Sequence, residues 1–138
     1  MKIMNRHLLL AAGALLAGVV VAACGVARIQ GGPLGASPLS DGVYEGASQN
    51  GPNAARVRVR IRDGELDAIE VLRNGGSWLG RRAVPTVPYR ILEAQSTKVD
   101  AVTGATNSSR VVMNAVEQAV AKARAAAAPD RPREEPEP

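Results

Sequence analysis

Residues 100–109, which read DAVTGATNSS, carry the side chains of this chain that are best suited to phosphate chemistry. Four of them bear a hydroxyl group: Thr106 can supply a nucleophilic oxygen, while Thr103, Ser108 and Ser109 can donate hydrogen bonds to phosphate oxygens. The stretch stands directly before a predicted helix, and a helix start presents unpaired backbone N–H groups and a partial positive charge to an anion. Gly104 lets the backbone bend without a Cβ clash. The pattern therefore predicts a place that holds a phosphate or displays one hydroxyl for its covalent attachment.

Two structural readings of the same residues stay open. Ala105 is small enough to leave a phosphate unobstructed, and Asn107, Ser108 and Ser109 could cap the helix with their side chains. A turn followed by a Ser/Thr-rich cap needs no ligand at all. The motif alone does not decide between a binding site and a cap.

The elements around this stretch predict an α+β fold, a small antiparallel sheet packed against a C-terminal helix and a short helix. Residues 41–48 are a first strand, and residues 56–62 alternate apolar residues with arginines, which is typical of a strand with one solvated face. Asp63-Gly64 favours a hairpin turn, and a β-bulge is expected near Asp67-Ala68. From Ser108 onward, small apolar residues recur at helical spacing.

Residues 73–88 are predicted to form a loop, followed by a short helix over residues 89–95. Trp78 in that loop is a candidate for stacking on an aromatic ligand, and a packing role for it is about equally expected. Tyr44 and Tyr89 are expected in the core. Residues 99–102 are expected to form a buried extended segment.

The ends of the chain differ from the domain. Residues 1–24 contain Lys2, Arg6 and a 16-residue apolar run that ends before Cys24, the single cysteine. The sequence VAAC resembles a bacterial lipobox, so Cys24 is the predicted lipidation site; an uncleaved anchor and plain secretion remain alternatives. All three predict an extracytoplasmic domain.

Domain boundaries follow from composition. Residues 25–40 are predicted to be a flexible tether, residues 41–127 the folded domain, and residues 128–138 a disordered Pro/Glu-rich tail. The chain has 138 residues and a net charge of +4. This small excess of positive charge does not indicate a nucleic-acid-binding protein. No metal site is predicted.

Residues 100–109 closely resemble the flavinylation signature of the FMN-binding domain family. The signature runs Asp, two spacers, Ser/Thr, Gly, Ala and Thr/Ser, which matches Asp100, Thr103, Gly104, Ala105 and Thr106. The resemblance extends over almost all of residues 41–124. It includes the following elements in the same order: Asp41–Gly46, Asp63-Gly64, Glu93–Ser96 and Asn114–Val116.

The resemblance implies covalent FMN, joined through a phosphoester bond to Thr106. It also implies a separate magnesium-dependent flavin transferase that uses FAD as the donor and recognises Asp100. A separate enzyme is expected because no histidine that could activate the Thr106 hydroxyl lies near the signature; His7 is in the leader. The expected function is an exported, membrane-attached electron carrier between a membrane-bound donor and an extracytoplasmic acceptor, with no enzymatic activity of its own. The alternative is an accessory or sensing lipoprotein that binds FMN without a covalent bond.

Overall fold

The computed structural model of the chain describes residues 28–129, so the predicted signal segment and most of the predicted tail lie outside the described residues. Three strands, two α-helices and two single-turn 3-10 helices follow one another. In chain order they are the 3-10 helix Leu34–Ala36, β1 Gly42–Asn50, β2 Asn53–Arg62, β3 Glu65–Gly75, the 3-10 helix Gly80–Arg82, α1 Ala83–Ala94 and α2 Thr106–Ala127. The predicted α+β fold, with one small antiparallel sheet and two helices, is confirmed.

The sheet is an antiparallel meander in the order β1-β2-β3. The predicted alternation in β2 is confirmed, because Val57, Val59 and Ile61 are fully buried while the arginines between them are exposed. The turn at Asp63-Gly64 has positive φ at both residues, as a two-residue type I′ hairpin requires.

The bulge predicted near residues 67–68 is also confirmed. Arg60 pairs with Ala68 and the next residue of β2, Ile61, pairs with Leu66, so Asp67 is the extra residue. The bulge returns Leu66 to the buried face and turns Asp67 toward the exposed arginines of β2, where it pairs with Arg60.

The long helix α2 covers the inner face of the sheet. Every position of the predicted apolar stripe is buried: Val112, Ala115, Val116, Ala119, Val120 and Ala123. These small side chains allow a close approach between helix and strands. At Gly46 of β1 a Cβ atom would overlap the carbonyl oxygen of Ala115 and lie 2.7 Å from the backbone nitrogen of Ala119.

The prediction of a loop over residues 73–88 is wrong. β3 continues to Gly75, and α1 begins at Ala83, six residues before the predicted start of the short helix. Pro85 lies in the first turn, where no intrahelical N–H bond is required, and Pro88 follows one turn later as a buried residue. The helix forms in spite of the two prolines, but they hide its start from a prediction based on sequence pattern.

Two further expectations need correction. Tyr89 lies on the outer side of α1 with 60% of its surface exposed, and its hydroxyl donates to Glu93 Oε1 at 2.6 Å. This carboxylate raises the pKa of the Tyr89 phenol. Tyr44 packs against the core as expected. Residues 99–102 were expected to be buried, but Val99, Ala101 and Val102 are only partly buried and Asp100 is exposed.

The predicted tether is packed in its described part, residues 28–40. Leu34 and Leu39 are buried in the core, and Pro33 forms a β-bridge with Ser96. The Gly32 backbone exchanges hydrogen bonds with Thr97, which is completely buried. A few apolar residues within a Gly/Pro-rich composition are enough to dock this segment, so the domain boundary predicted at residue 41 is too late.

Two side chains fix the strands to distant segments. The Asp41 carboxylate accepts hydrogen bonds of 2.9 Å from the backbone N–H groups of Gly64 and Asp63, which hold the pKa of this carboxyl below its usual value. The Gln95 amide makes two hydrogen bonds of 2.9 Å with the backbone of Leu66, and so joins the end of α1 to the bulge in β3.

The close approach at Gly46 generates the first prediction. Gly46→Ala should lower the free energy of unfolding by about 1–3 kcal/mol, because the added methyl group forces β1 away from α2. Gly35→Ala is the control, since its Cβ would meet open space, and it should change stability by no more than about 0.5 kcal/mol. Urea unfolding followed by circular dichroism measures both variants. Equal midpoints for the two variants would contradict the packing described here.

Candidate functional site

The signature residues form a tight turn that leads directly into α2. The Ala105 N–H donates to the carbonyl oxygen of Val102 at 2.9 Å, and Gly104 has φ of +78°, which matches the glycine position of a type II turn. Nothing lies within 4 Å of the place where a Cβ of Gly104 would be. The outer side of the turn is therefore open to a ligand.

Thr106 is the first residue of α2, and its side chain is exposed. Thr103, in the turn before it, is exposed as well. Ala105 is buried and occupies the N-cap position, so its methyl group points away from the open side. The helix start thus presents the Thr106 hydroxyl to solvent, together with the partial positive charge of the helix.

The predicted side-chain capping is wrong, because no side chain caps the start of α2. Ser109 is instead buried and binds the turn from behind. Its hydroxyl donates to the Ala105 carbonyl at 2.8 Å and accepts from the Val102 N–H at 3.0 Å. The one hydroxyl proton of Ser109 is thereby used within the protein.

The turn between β1 and β2, residues 50–53, holds the first turn of α2 from the side. Asn50 Nδ2 donates to Asn107 Oδ1 at 2.8 Å, and the Ser108 hydroxyl donates to Asn53 Oδ1 at 2.8 Å. Ser108 is also buried. Sequence reasoning missed both asparagines as part of the site. The polar Asn-Gly-Pro-Asn sequence indicates a turn, but it does not indicate that this turn contacts the first turn of α2.

The roles predicted for the two serines change accordingly. Ser108 and Ser109 were candidates to donate to phosphate oxygens, yet both donate to protein acceptors and are buried. Of the hydroxyl residues in the signature, Thr103 and Thr106 are the two that solvent reaches.

A glycine-rich loop places Trp78 beside this region. A Cβ at Gly80 would overlap the Ser108 hydroxyl, and one at Gly76 would lie 2.7 Å from Asn53 Oδ1, so the loop backbone runs directly against the site. Trp78 lies two residues before Gly80 and is 65% exposed. The indole is therefore not a core residue, and a packing role does not account for it.

On the other side of the turn a groove of about 820 Å³ opens between α1, α2 and residues 98–101. Its charged lining residues are Arg90, Glu93, Lys98, Asp100 and Arg110. Arg90 fixes the backbone that enters the turn by donating to the carbonyl oxygen of Asp100 at 2.6 Å and, more weakly, to that of Ala101 at 3.3 Å. Arg110 stands one helical turn after Thr106, on the same face of α2.

Asp100 lies just before the turn of residues 102–105 and is not part of it. Its side chain is exposed at the edge of the groove, where a second protein could reach it. The structure thus brings Thr103, Gly104, Ala105 and Thr106 into one turn and places Asp100 next to that turn on the accessible surface.

Comparison with known proteins identifies the family. The model of the FMN-binding domain matches residues 51–121, just over half of the chain. The fold and the open signature turn are those of a flavoprotein domain, and the chain belongs to the FMN-binding domain family. FMN is accordingly its cofactor.

Two individual proteins are similar to this chain. An uncharacterized protein of Treponema pallidum (strain Nichols) is 36% identical over 85 residues, an alignment that covers 58% of this chain and 22% of that relative. A crystal structure of a Clostridium perfringens protein superposes with a TM-score of 0.51 at 19% identity, over 64% of this chain and 91% of that one. The second likeness concerns the fold alone.

Residues 28–129 lack a membrane-spanning helix and a cluster of metal ligands. Between residues 28 and 129 no helix combines the length and apolar character that crossing a bilayer requires. Within the same residues no three His, Cys, Asp or Glu side chains stand close enough to hold a metal ion.

The buried Ser109 hydroxyl generates a prediction about the turn. Ser109→Ala should lower the free energy of unfolding by about 1–3 kcal/mol, because it removes both hydrogen bonds that tie the turn to α2. Amide exchange at Ala105 should accelerate, since its N–H is donated within the same turn.

Ser96→Ala is the matched control. Its hydroxyl bonds only with Lys98 in an exposed turn, so stability should change by no more than about 0.5 kcal/mol. Unchanged exchange at Ala105 in the Ser109 variant would show that this hydroxyl does not hold the turn.

Proposed function

We propose that the chain carries FMN covalently, through a phosphoester bond between the FMN phosphate and the Thr106 hydroxyl oxygen. The single observation that supports this most directly is the position of Thr106. Its exposed hydroxyl stands at an uncapped helix start, directly after an open glycine turn. A phosphate at such a place is stabilised by the backbone N–H groups of the first turn.

The residues present fit the group. The space beside Gly104 leaves room for a phosphate and the ribityl chain. The exposed Thr103 hydroxyl is available as a donor to a phosphate oxygen, and Arg110 supplies a positive charge one turn further along α2. The isoalloxazine ring would supply the redox chemistry when the cofactor is bound.

Attachment requires a second protein. A threonine hydroxyl is a weak nucleophile until a base removes its proton and the phosphate charge is shielded. The single histidine of the chain is His7, far from the signature in sequence, and residues 28–129 provide no cluster that could bind a metal. A flavin transferase would therefore supply the base and the Mg²⁺, replacing the anhydride bond of FAD by the bond to Thr106 and releasing AMP.

Trp78 is the proposed contact for the flavin ring. Its indole is exposed on a loop whose backbone touches Ser108, two residues after the attachment point. An aromatic side chain held beside a flavin by a short glycine-bounded loop would stack on the ring and limit its exposure. The indole is available for this contact because 65% of the Trp78 surface is exposed.

The function that follows is electron carriage. The chain would accept electrons from a membrane-bound donor and pass them to an extracytoplasmic acceptor, with no substrate transformed by the chain itself. Covalent linkage suits that setting, because FMN that dissociated outside the cytoplasm would be lost by dilution. A site that binds FMN without a bond would instead serve an accessory or sensing protein.

The attachment point generates a prediction with an internal control. When the chain is produced together with a flavin transferase, Thr106→Ala should lose all flavin fluorescence that migrates with the protein on a denaturing gel. Thr106→Ser should keep most of it, because the hydroxyl remains at the first residue of α2. Fluorescence retained by the alanine variant would place the attachment elsewhere, and flavin released by denaturation from the unaltered chain would favour non-covalent binding.

Membrane attachment through lipidated Cys24 completes the proposal. It is supported by the position of this single cysteine directly after the apolar run. In the native cell, Cys24→Ala should abolish incorporation of labelled fatty acid and leave a precursor of full length. Thr106→Ala is the control and should be processed and labelled normally. A normally cleaved Cys24 variant would contradict lipidation.

A further inference from the structure

On the outer face of the sheet, which is turned away from the helices, most arginines pair with acidic side chains. Arg58 pairs with Glu45 at 2.9 Å and with Glu70 at 3.3 Å, and the bulge residue Asp67 pairs with Arg60 and Arg62. The hydrogen bonds that Arg58 donates to the Glu45 carboxylate raise the pKa of the Arg58 guanidinium. Over the half of the face near Asp63, positive and negative charges are therefore matched.

The other half of this face carries two arginines without acidic partners. Arg56 of β2 stands directly opposite Arg73 of β3, and both are exposed. Among residues 28–129 neither makes an ion pair or a side-chain hydrogen bond. Like charges directly opposite each other destabilise a sheet, so this arginine pair has an unfavourable energy that an anion would remove.

A second bulge creates the arginine pair. Val57 pairs with Val71, but Arg56 pairs with Arg73, so Leu72 is the extra residue. With regular alternation Arg73 would stand opposite Ala55 and point into the core. The bulge turns Arg73 to the outer face and places it beside Arg56, which is the kind of re-aiming that bulges perform next to functional sites.

The arginine pair lines a shallow groove of about 570 Å³ on this face. Small or neutral residues form the rest of its lining: Ala47, Ser48, Gln49, Pro52, Ala54, Ala55 and Gly75. Among the residues that the structure describes, no acidic one lines the groove. The two guanidinium groups are thus the dominant charges that a molecule in the groove would meet.

The groove adjoins the flavin site. Ala54 and Pro52 line the groove, and Asn53 between them accepts the hydrogen bond from Ser108 in the first turn of α2. The surrounding sequence is positive as well, because residues 71–92 contain four arginines and no acidic residue.

From this geometry we infer that the groove with Arg56 and Arg73 is a docking surface for an acidic protein, the electron donor or acceptor of this carrier. The inference rests on the proposed electron-carrier function for the identity of the partner. Carboxylate side chains are the matching chemistry, since guanidinium groups bind carboxylates through paired hydrogen bonds. A groove without deep walls suits side chains on a protein surface, and charge complementarity favours fast association and release.

The test uses a synthetic hexaglutamate peptide as the probe and the flavinylated full chain as the receptor. Nuclear magnetic resonance titration at low salt should show the largest shifts at the Nε–H signals of Arg56 and Arg73. The double variant Arg56→Gln, Arg73→Gln should bind the peptide roughly fivefold more weakly or worse, because both carboxylate contacts are lost. Flavin attachment to this variant should equal that of the unaltered chain.

The matched control is Arg81→Gln, Arg82→Gln, which removes the same charge from two exposed residues that do not line the groove. This variant should bind the peptide within about twofold of the unaltered chain, since neither side chain lines the groove and exposed charges outside a contact contribute little. Equal weakening of both double variants would overturn the docking surface in favour of a general positive field.

Two further binding measurements, with inorganic phosphate and with lipid vesicles, test other ligands. Inorganic phosphate that binds the pair as tightly as the peptide would overturn the inference in favour of a small oxyanion site. Binding to phosphatidylglycerol vesicles that depends on Arg56 and Arg73, while peptide binding does not, would overturn it in favour of a membrane contact. Failure of flavin attachment on the unaltered chain would refute the carrier function separately, and the redox partner with it.

Discussion

The structure depends on how the start of α2 is held. Ser109 ties the signature turn to the helix from the buried side, and Ser108 is bound by Asn53 of the β1–β2 turn. Both serine hydroxyls donate to protein acceptors and are buried, whereas the threonine at the first helical position faces solvent. A single exposed hydroxyl on a rigid helix start is what a modifying enzyme needs to select one residue among several similar ones.

The sheet supplies the rigidity behind this arrangement. Two bulges in β3, at Asp67 and Leu72, set which side chains face outward, and Gly46 lets α2 approach β1 closely. Asp41 and Gln95 then connect the hairpin and the end of α1 to the strands. Several residues that carry the family resemblance outside the signature are thus explained by the fold, because they fix backbone segments and do not touch the site.

Local patterns predicted the sheet and the long helix well. The alternation in β2, the Asp63-Gly64 turn and the small-residue stripe of α2 are signals of short range, and each determined its element. The helix α1 was missed because Pro85 and Pro88 break the expected pattern, although the first turn tolerates Pro85 and the helix continues past Pro88. The packing of residues 28–40 was missed because two leucines carry it within a composition typical of linkers.

The site was predictable in part. The turn and the exposed Thr106 followed from the signature, whereas the true roles of Ser108 and Ser109 depend on partners far away in sequence or behind the turn. No local rule names Asn53 as the acceptor for a serine 55 residues later. The pairing of Arg56 with Arg73 likewise depends on a bulge at Leu72 that the sequence pattern does not reveal.

The central claim is that this chain carries FMN as a covalent group at a helix start. The most direct test is the intact mass of the mature protein, purified after production with an active flavin transferase and denatured to remove any loosely bound cofactor. Covalent attachment should give a mass equal to that of the chain plus FMN less one water molecule. An unmodified mass, in a preparation where the same transferase modifies a known substrate, would contradict it.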